Sequence, residues 1–296
     1  MDVAVAPAPT RRVPVALHRH HLRRLEAVVD FVDAHLDAEL SLDRLASVAA
    51  LSPYHFHRLF HQWSGETLNE FVRRRRLEVA AGRLRHCPDE KITSISLNCG
   101  FASPEGFARA FRERFHATPS KWREPPAGAP AERCSPRLVT VRHEPAMSLL
   151  YLRGRGQFHE VAPHLWTQFA SAVQHLGLAR QPWLFMGLDD PRIAGTARCR
   201  MDACVPLPAS GSAALPALSG MHHRWLPARC VATLHYDGPS SGIAEGWDML
   251  LNHWLPQSAW QLAIGPFYER YEPQLDLPGG ARARCTLGMP IEPRPF

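Results

Sequence analysis

Arg58 and Arg109 occupy the same place in two look-alike stretches, SPYHFHRLF at 52–60 and SPEGFARAF at 103–111, which share Ser, Pro, Phe, Arg and Phe at an offset of 51. A guanidinium fork pairs bidentately with a carboxylate or with the edge of a guanine. Each arginine therefore has two readings: an ion pair inside its own domain, or a contact to nucleic acid. Beside them lie Tyr54, His57 and His61 in the first stretch and Glu105, Ala108 and Arg112 in the second. Other chemistry is thin. No Ser/His/Asp order, phosphate loop or metal motif stands out, and His55, His57 and His61 lack carboxylates at metal-ligand spacing. No catalytic residue, cofactor or metal is expected.

The elements that would carry these arginines are helices. Ser followed by Pro is an N-cap and first-turn pairing, because the hydroxyl accepts a bond from an orphan amide and proline has no amide to satisfy. Phe56, Leu59, Phe60 and Trp63 then fall on one face of the first helix, and Phe107, Ala110, Phe111 and Phe115 on one face of the second. A shorter amphipathic helix precedes each: Leu42, Leu45, Ala46 and Ala49, then Ile92, Ile95, Ser96 and Cys99. Gly100 suits the second turn, whereas the first, "AAL", has no glycine. Two such pairs are two helix-turn-helix units. Thr67 and Glu70 form a capping box that opens a long helix between them, and a helix from His21 covers the whole with Leu22, Leu25, Val28, Val29, Val32 and Leu36. The run Arg73 to Arg76 reads as mostly solvated.

A length of 296 residues suits two domains, and the net charge of +6, carried almost wholly by arginine, inclines gently toward polyanions. Seven cysteines without a CxxC pair argue for a reducing cytoplasm. The N-terminus makes a poor signal peptide, and the longest uncharged run, Ala203 to Met221, is broken by proline and glycine and reads as a loop, so no membrane is expected. After residue 137 the helical pattern gives way to short β-branched and aromatic runs. The expected organisation is a flexible tail at 1–20, an all-α double helix-turn-helix domain at 21–123, a Pro-rich linker at 124–137 ("EPPAGAPAERCSP" within it) and an α+β domain at 138–296.

Residues 21–123, and "ITSISLNCGFASPEGFARAFRERFHATPSKWR" at 92–123 above all, resemble the DNA-binding domain of the AraC/XylS family of bacterial transcription regulators. The resemblance implies double-stranded DNA and RNA polymerase as partners, while two reading units in one chain remove the usual need for a dimer and suit a monomer or weak dimer. It places base-reading positions at Tyr54, His57 and Arg58 and at Glu105 and Arg109, with Arg112 on the same DNA-facing side. Pro104, Gly106 and Ala108 leave the second helix little to read with.

The second domain echoes itself. "EPAMSLLYLRGRGQFHEVAPHLWTQFASAV" from Glu144 is matched by "LPARCVATLHYDGPSSGIAEGWDMLLNHW" from Leu226, and "WLFMGLDDP" with "ARCRMDACVPLP" by "AIGPFYERYEP" with "ARCTLGMPIEP". Two strand-helix-strand-strand repeats with pseudo-twofold symmetry would place a cleft on their axis. This half resembles the GyrI-like effector-binding domain, which implies a small-molecule effector facing a glutamate in an aromatic pocket; by that resemblance the glutamate is Glu269. Phe267, Glu269 and Tyr271 share a strand face, an arrangement suited to a lipophilic cation. The competing reading pairs Glu269 with Arg282 or Arg284. Tyr151, Trp166, Phe185, Trp247 and Trp254 could line the cleft, although the last two share helical spacing with Leu250 and Leu251 and could be core. The reading is a ligand-responsive transcription regulator; the alternatives are a hydrolase using the pocket glutamate, or a degenerate sensor that binds a protein partner.

Overall fold

The computed structural model describes residues 19–124, 139–208, 221–272 and 280–294. Most of the expected tail and linker lies outside them. The chain forms two compact units, Met1–Arg75 and Arg76–Phe296.

In the first unit, α1 (Arg19–Ala34), α2 (Leu42–Val48), α3 (Pro53–Ser64) and the start of α4 (Leu68–His86) enclose one core. Leu25, Val28, Val29 and Val32 of α1, Leu45 and Ala46 of α2, and Phe56 and Phe60 of α3 are fully buried or nearly so. Phe60 meets Phe71 of α4 edge to face at 5.2 Å. Ser52 caps α3 by accepting from the His55 amide, and the Thr67–Glu70 box closes reciprocally at 2.8 and 3.3 Å. The helix pair turns at Ala50, which adopts φ +49°, where the second pair has Gly100 at φ +80°. Both turns close alike, Leu51 N–H donating to Ala46 and Phe101 N–H to Ser96.

Two members of the arginine run on α4 are tied in, whereas Arg73 is exposed. Arg75 is buried and bonds Asp33 at 2.9 Å, and Arg74 bonds Glu66 at 2.6 Å while lying over the Phe71 ring.

The second unit begins within α4. Leu77, Ala80, Ala81 and Leu84 pack with Ile95 of α5 (Ile92–Asn98) and Phe107, Ala110 and Phe111 of α6 (Pro104–Phe115). The short α7 (Pro119–Arg123) adds Trp122, whose indole donates to the Ala81 carbonyl at 3.1 Å.

An antiparallel sheet with helices follows: β1 (Val139–Glu144), β2 (Met147–Arg155), α8 (Phe158–His175), β3 (Trp183–Gly187), α9 (Pro191–Ala194), β4 (Arg200–Pro206), β5 (His222–Leu226), β6 (Arg229–Pro239), α10 (Ile243–Asp248), a π-helical turn Met249–Trp254, α11 (Leu255–Gln257), β7 (Trp260–Leu262), β8 (Phe267–Tyr271) and β9 (Arg282–Pro293). Ala203 to Pro206, expected as the start of a loop, instead completes β4. The strand order is β1-β6-β9-β8-β3-β4-β2-β5, with β7 on β9. One face packs α8 on Leu150, Met201, Ala203 and Val205, and α10 on Ala232, Leu234, Leu287 and Met289. Leu149, Tyr151, Leu184, Met186, Cys204 and Tyr268 point the other way and form a separate cluster.

Candidate functional site

Tyr54, His57 and Arg58 sit three and four residues apart on α3, opposite the buried Phe56, Leu59 and Phe60, and all three are exposed, Tyr54 at 78%. On α6, Glu105, Arg109 and Arg112 share one exposed face in the same way. Among the described residues, no ion pair engages the side chains of Arg58, Arg109 or Arg112. The alternative of an internal salt bridge for Arg58 and Arg109 therefore has no partner there. Between the exposed positions, Pro104, Gly106 and Ala108 leave a low surface on α6.

Glu269 lies mid-strand in β8 between β3 and β9, with Phe185 and Leu287 as its cross-strand neighbours. The Tyr271 hydroxyl donates to Oε2 at 2.6 Å and the Trp247 indole to Oε1 at 3.4 Å. Trp247 stacks on Phe267 at 5.5 Å from the α10 side. From the α8 side, Trp166 lies 5.9 Å from Phe185 and meets Tyr271 edge-on at 6.2 Å. A carboxylate is thus ringed by Phe185, Phe267, Tyr271, Trp166 and Trp247. α10 comes this close to the sheet because residue 246 is glycine: a Cβ there would stand 2.7 Å from Leu287 Cδ1.

Burial pushes the Glu269 pKa above the ordinary carboxylate range, against the two hydrogen bonds that lower it. Burial and the neighbouring carboxylate likewise push up Tyr271, and the adjacent Cys285 thiol rises to about 12. Among the described residues, no arginine pairs with Glu269. Arg282 and Arg284 both bond Asp237, at 2.7 and 3.1 Å, which overturns the pairing entertained from sequence.

Residues 139–292 match the family described as GyrI-like small molecule binding domain, and residues 45–125 match a helix-turn-helix domain family. The chain belongs to the AraC-type regulators that carry a GyrI-like domain. The regulatory protein SoxS of Salmonella typhimurium is 33% identical over 103 residues, covering 35% of this chain and 95% of SoxS. PocR of the same organism is 36% identical over 104 residues, but the match spans only 34% of PocR. Among solved structures, an AraC-type transcriptional regulator from Chromobacterium violaceum is 30% identical and covers 34% of this chain and 88% of its own, with a TM-score of 0.33. These relatives are named as regulators, not enzymes.

In this AraC-type chain the structure gathers Glu269, Phe267, Tyr271, Trp166, Phe185 and Trp247, but not Tyr151. Tyr151 is one residue out of phase with the row of Leu152, Ala203, Phe185 and Glu269, so it points to the opposite face. There Arg153 and Arg224 lie over its ring, at 5.1 and 4.8 Å, and His222 stacks at 5.0 Å. Trp254 is half-buried in the α10 core cluster. Sequence reasoning passed over Trp183, which lies two residues before Phe185 on the same strand face and stacks on Trp166 at 5.9 Å. The period-2 alternation that selected Phe267 and Tyr271 around Glu269 would have selected it too.

Proposed function

We propose that this protein is a ligand-responsive transcription regulator whose GyrI-like domain takes a lipophilic cation against Glu269. The observation that carries the reading is a buried carboxylate whose hydrogen-bond partners, Tyr271 and Trp247, are both neutral. Such a charge is costly without a cation, and aromatic faces around it supply dispersion and cation-π attraction to one. The strand order supports the domain as two strand-helix-strand-strand repeats: β6-β9-β8 lies beside β3-β4-β2, so an axis between β8 and β3 exchanges the halves. Phe185 and Glu269 pair on that axis, which supports a site between the two repeat helices.

The DNA-reading faces are α3 and α6, joined to the sensor through the segment at 124–137. Two reading heads in one chain fit a monomer or weak dimer on an asymmetric site, with RNA polymerase as the protein partner of the bound regulator. What weighs against the hydrolase alternative is that the relatives are regulators; this reading gives Glu269 a binding role.

Tryptophan fluorescence titration with tetraphenylphosphonium and with a neutral aromatic of similar outline tests the reading. Wild type binds the cation more tightly, and Glu269→Gln weakens the cation by about tenfold or more while changing the neutral compound little. Equal binding of both compounds by both proteins would make Glu269 a structural residue.

A further inference from the structure

β3 carries Phe185 into the effector site and then runs directly into α9, whose single turn is fixed at both ends. Asp190 caps it by accepting from the Arg192 amide at 2.8 Å, Pro191 occupies the first position, and Gly195 ends it at φ +84°. The loop is also closed at its base. Asp189 holds Arg200 at the start of β4 through both carboxylate oxygens and its amide, at 2.8 to 2.9 Å, with both side chains almost wholly buried. α9 is therefore a rigid extension of the strand beside Glu269.

Its tip does not belong to the sensor's own core. Ile193, 6% exposed, packs in the cluster formed by Leu77, Ala80, Ala81 and Leu84 of α4, Ile95 of α5 and Phe107 and Phe111 of α6. Asp190 and Arg192 face His86 at the end of α4, whose burial holds its pKa down to about 4, so the contact meets a neutral ring. β9, which flanks Glu269 on the other side through Leu287, makes a second tie. Arg294, following its last residue, bonds Asp89 in the α4–α5 turn at 2.8 Å and also donates to the Leu255, Pro256 and Trp260 carbonyls. The Cys87 thiol meets the Leu262 backbone of β7 beside it.

We infer that α9, with Arg294 as its second strut, docks the sensor onto the second helix-turn-helix, so that effector occupancy reaches the α5–α6 reading head in particular. Both strands bordering Glu269 lead into the helix pair that carries Arg109, while α2 and α3 belong to the other compact unit. The effector end of this path rests on the function proposed above; the docking does not.

The test uses the full chain and a duplex selected by it from a random library. Coupling between sites is reciprocal, so DNA alone raises amide protection in α9 and β3 of the wild type. Tetraphenylphosphonium in turn changes the DNA dissociation constant by about fivefold or more, and alters protection of the duplex mainly over the segment whose footprint Arg109→Ala weakens. Ile193→Ala binds the cation as wild type does but loses both responses. Asp89→Asn, at a side chain 69% exposed and remote from the core, reduces them without loss of fold. Unchanged exchange in α9 and β3 on DNA binding, or full responses in both variants, overturns the inference. If the cation fails to bind while DNA still protects α9 in wild type and not in Ile193→Ala, the docking stands and the effector reading falls.

Discussion

A carboxylate that accepts from a phenol and an indole, and that no cation among the described residues meets, holds a charge that burial penalises, and this can be read in solution as well as in binding. Because burial raises the folded-state pKa of Glu269 above its unfolded value, the folded protein keeps a proton that the unfolded chain has released. The contribution of Glu269 to stability is therefore greatest below the ordinary glutamate range, about pH 4, and declines as pH climbs through the raised value. Glu269→Gln is expected to be more stable than wild type at pH 8 and to lose that advantage by pH 4, in urea unfolding without ligand. The same titration makes cation binding tighten as pH rises. On the DNA side, Arg58→Ala is expected to cost about 1 to 3 kcal/mol at one base position and nothing in stability. Arg74→Ala differs: its ion pair with Glu66 and its place over Phe71 make it a loss of about 1 kcal/mol in unfolding. The two arginines are alike in composition and unlike in surroundings. Helical spacing sufficed to put Arg58 on an open face, whereas the partners of Arg74 and Arg75 depend on tertiary neighbours that a local pattern does not contain.

At the scale of elements, the two helix-turn-helix units were legible because Ser-Pro caps, apolar spacing and an offset repeat all pointed to one solution. Their turns show what the repeat conceals. Gly100 adopts its left-handed conformation without cost, but Ala50 must hold the same conformation against its Cβ. Ala50→Gly is expected to stabilise the protein by about 1 kcal/mol and Gly100→Ala to destabilise it by a similar amount, measured by chemical unfolding. The helix after β6 was less legible. Spacing by three and four grouped Trp247, Leu250, Leu251 and Trp254 as one stripe, yet a π-helical turn at Met249–Trp254 shifts the phase, burying Gly246, Leu250 and Leu255. Trp247, ahead of that turn, packs at the edge of this core and also reaches the carboxylate. α9 went unseen because one helical turn has no periodicity to detect, and "DDP" signals only a cap.

Across the whole molecule, the order of a helical DNA-reading region and an α+β sensor followed from the change in pattern near residue 137 and from the two family resemblances. The close packing of the second helix-turn-helix with the sensor was not legible, since it brings Ile193 and Arg294 to His86 and Asp89, more than 100 residues earlier in sequence. His86 gives that contact a pH signature. Its folded pKa is held to about 4 by burial, with Asp190 opposing and Arg85 and Arg192 adding to the effect. The unfolded chain therefore binds a proton first, and stability is lost as pH falls from about 6.5 toward the folded value, by up to about 3 kcal/mol. His86→Gln is expected to flatten that limb of the pH profile.

The central claim, that a cation held at Glu269 governs DNA binding, is tested most directly by the dissociation constant for the selected duplex at fixed salt, with and without saturating tetraphenylphosphonium. The wild-type constant is expected to change by about fivefold or more and that of Glu269→Gln to stay nearly constant. No change in wild type, or the same change in both proteins, would contradict the account.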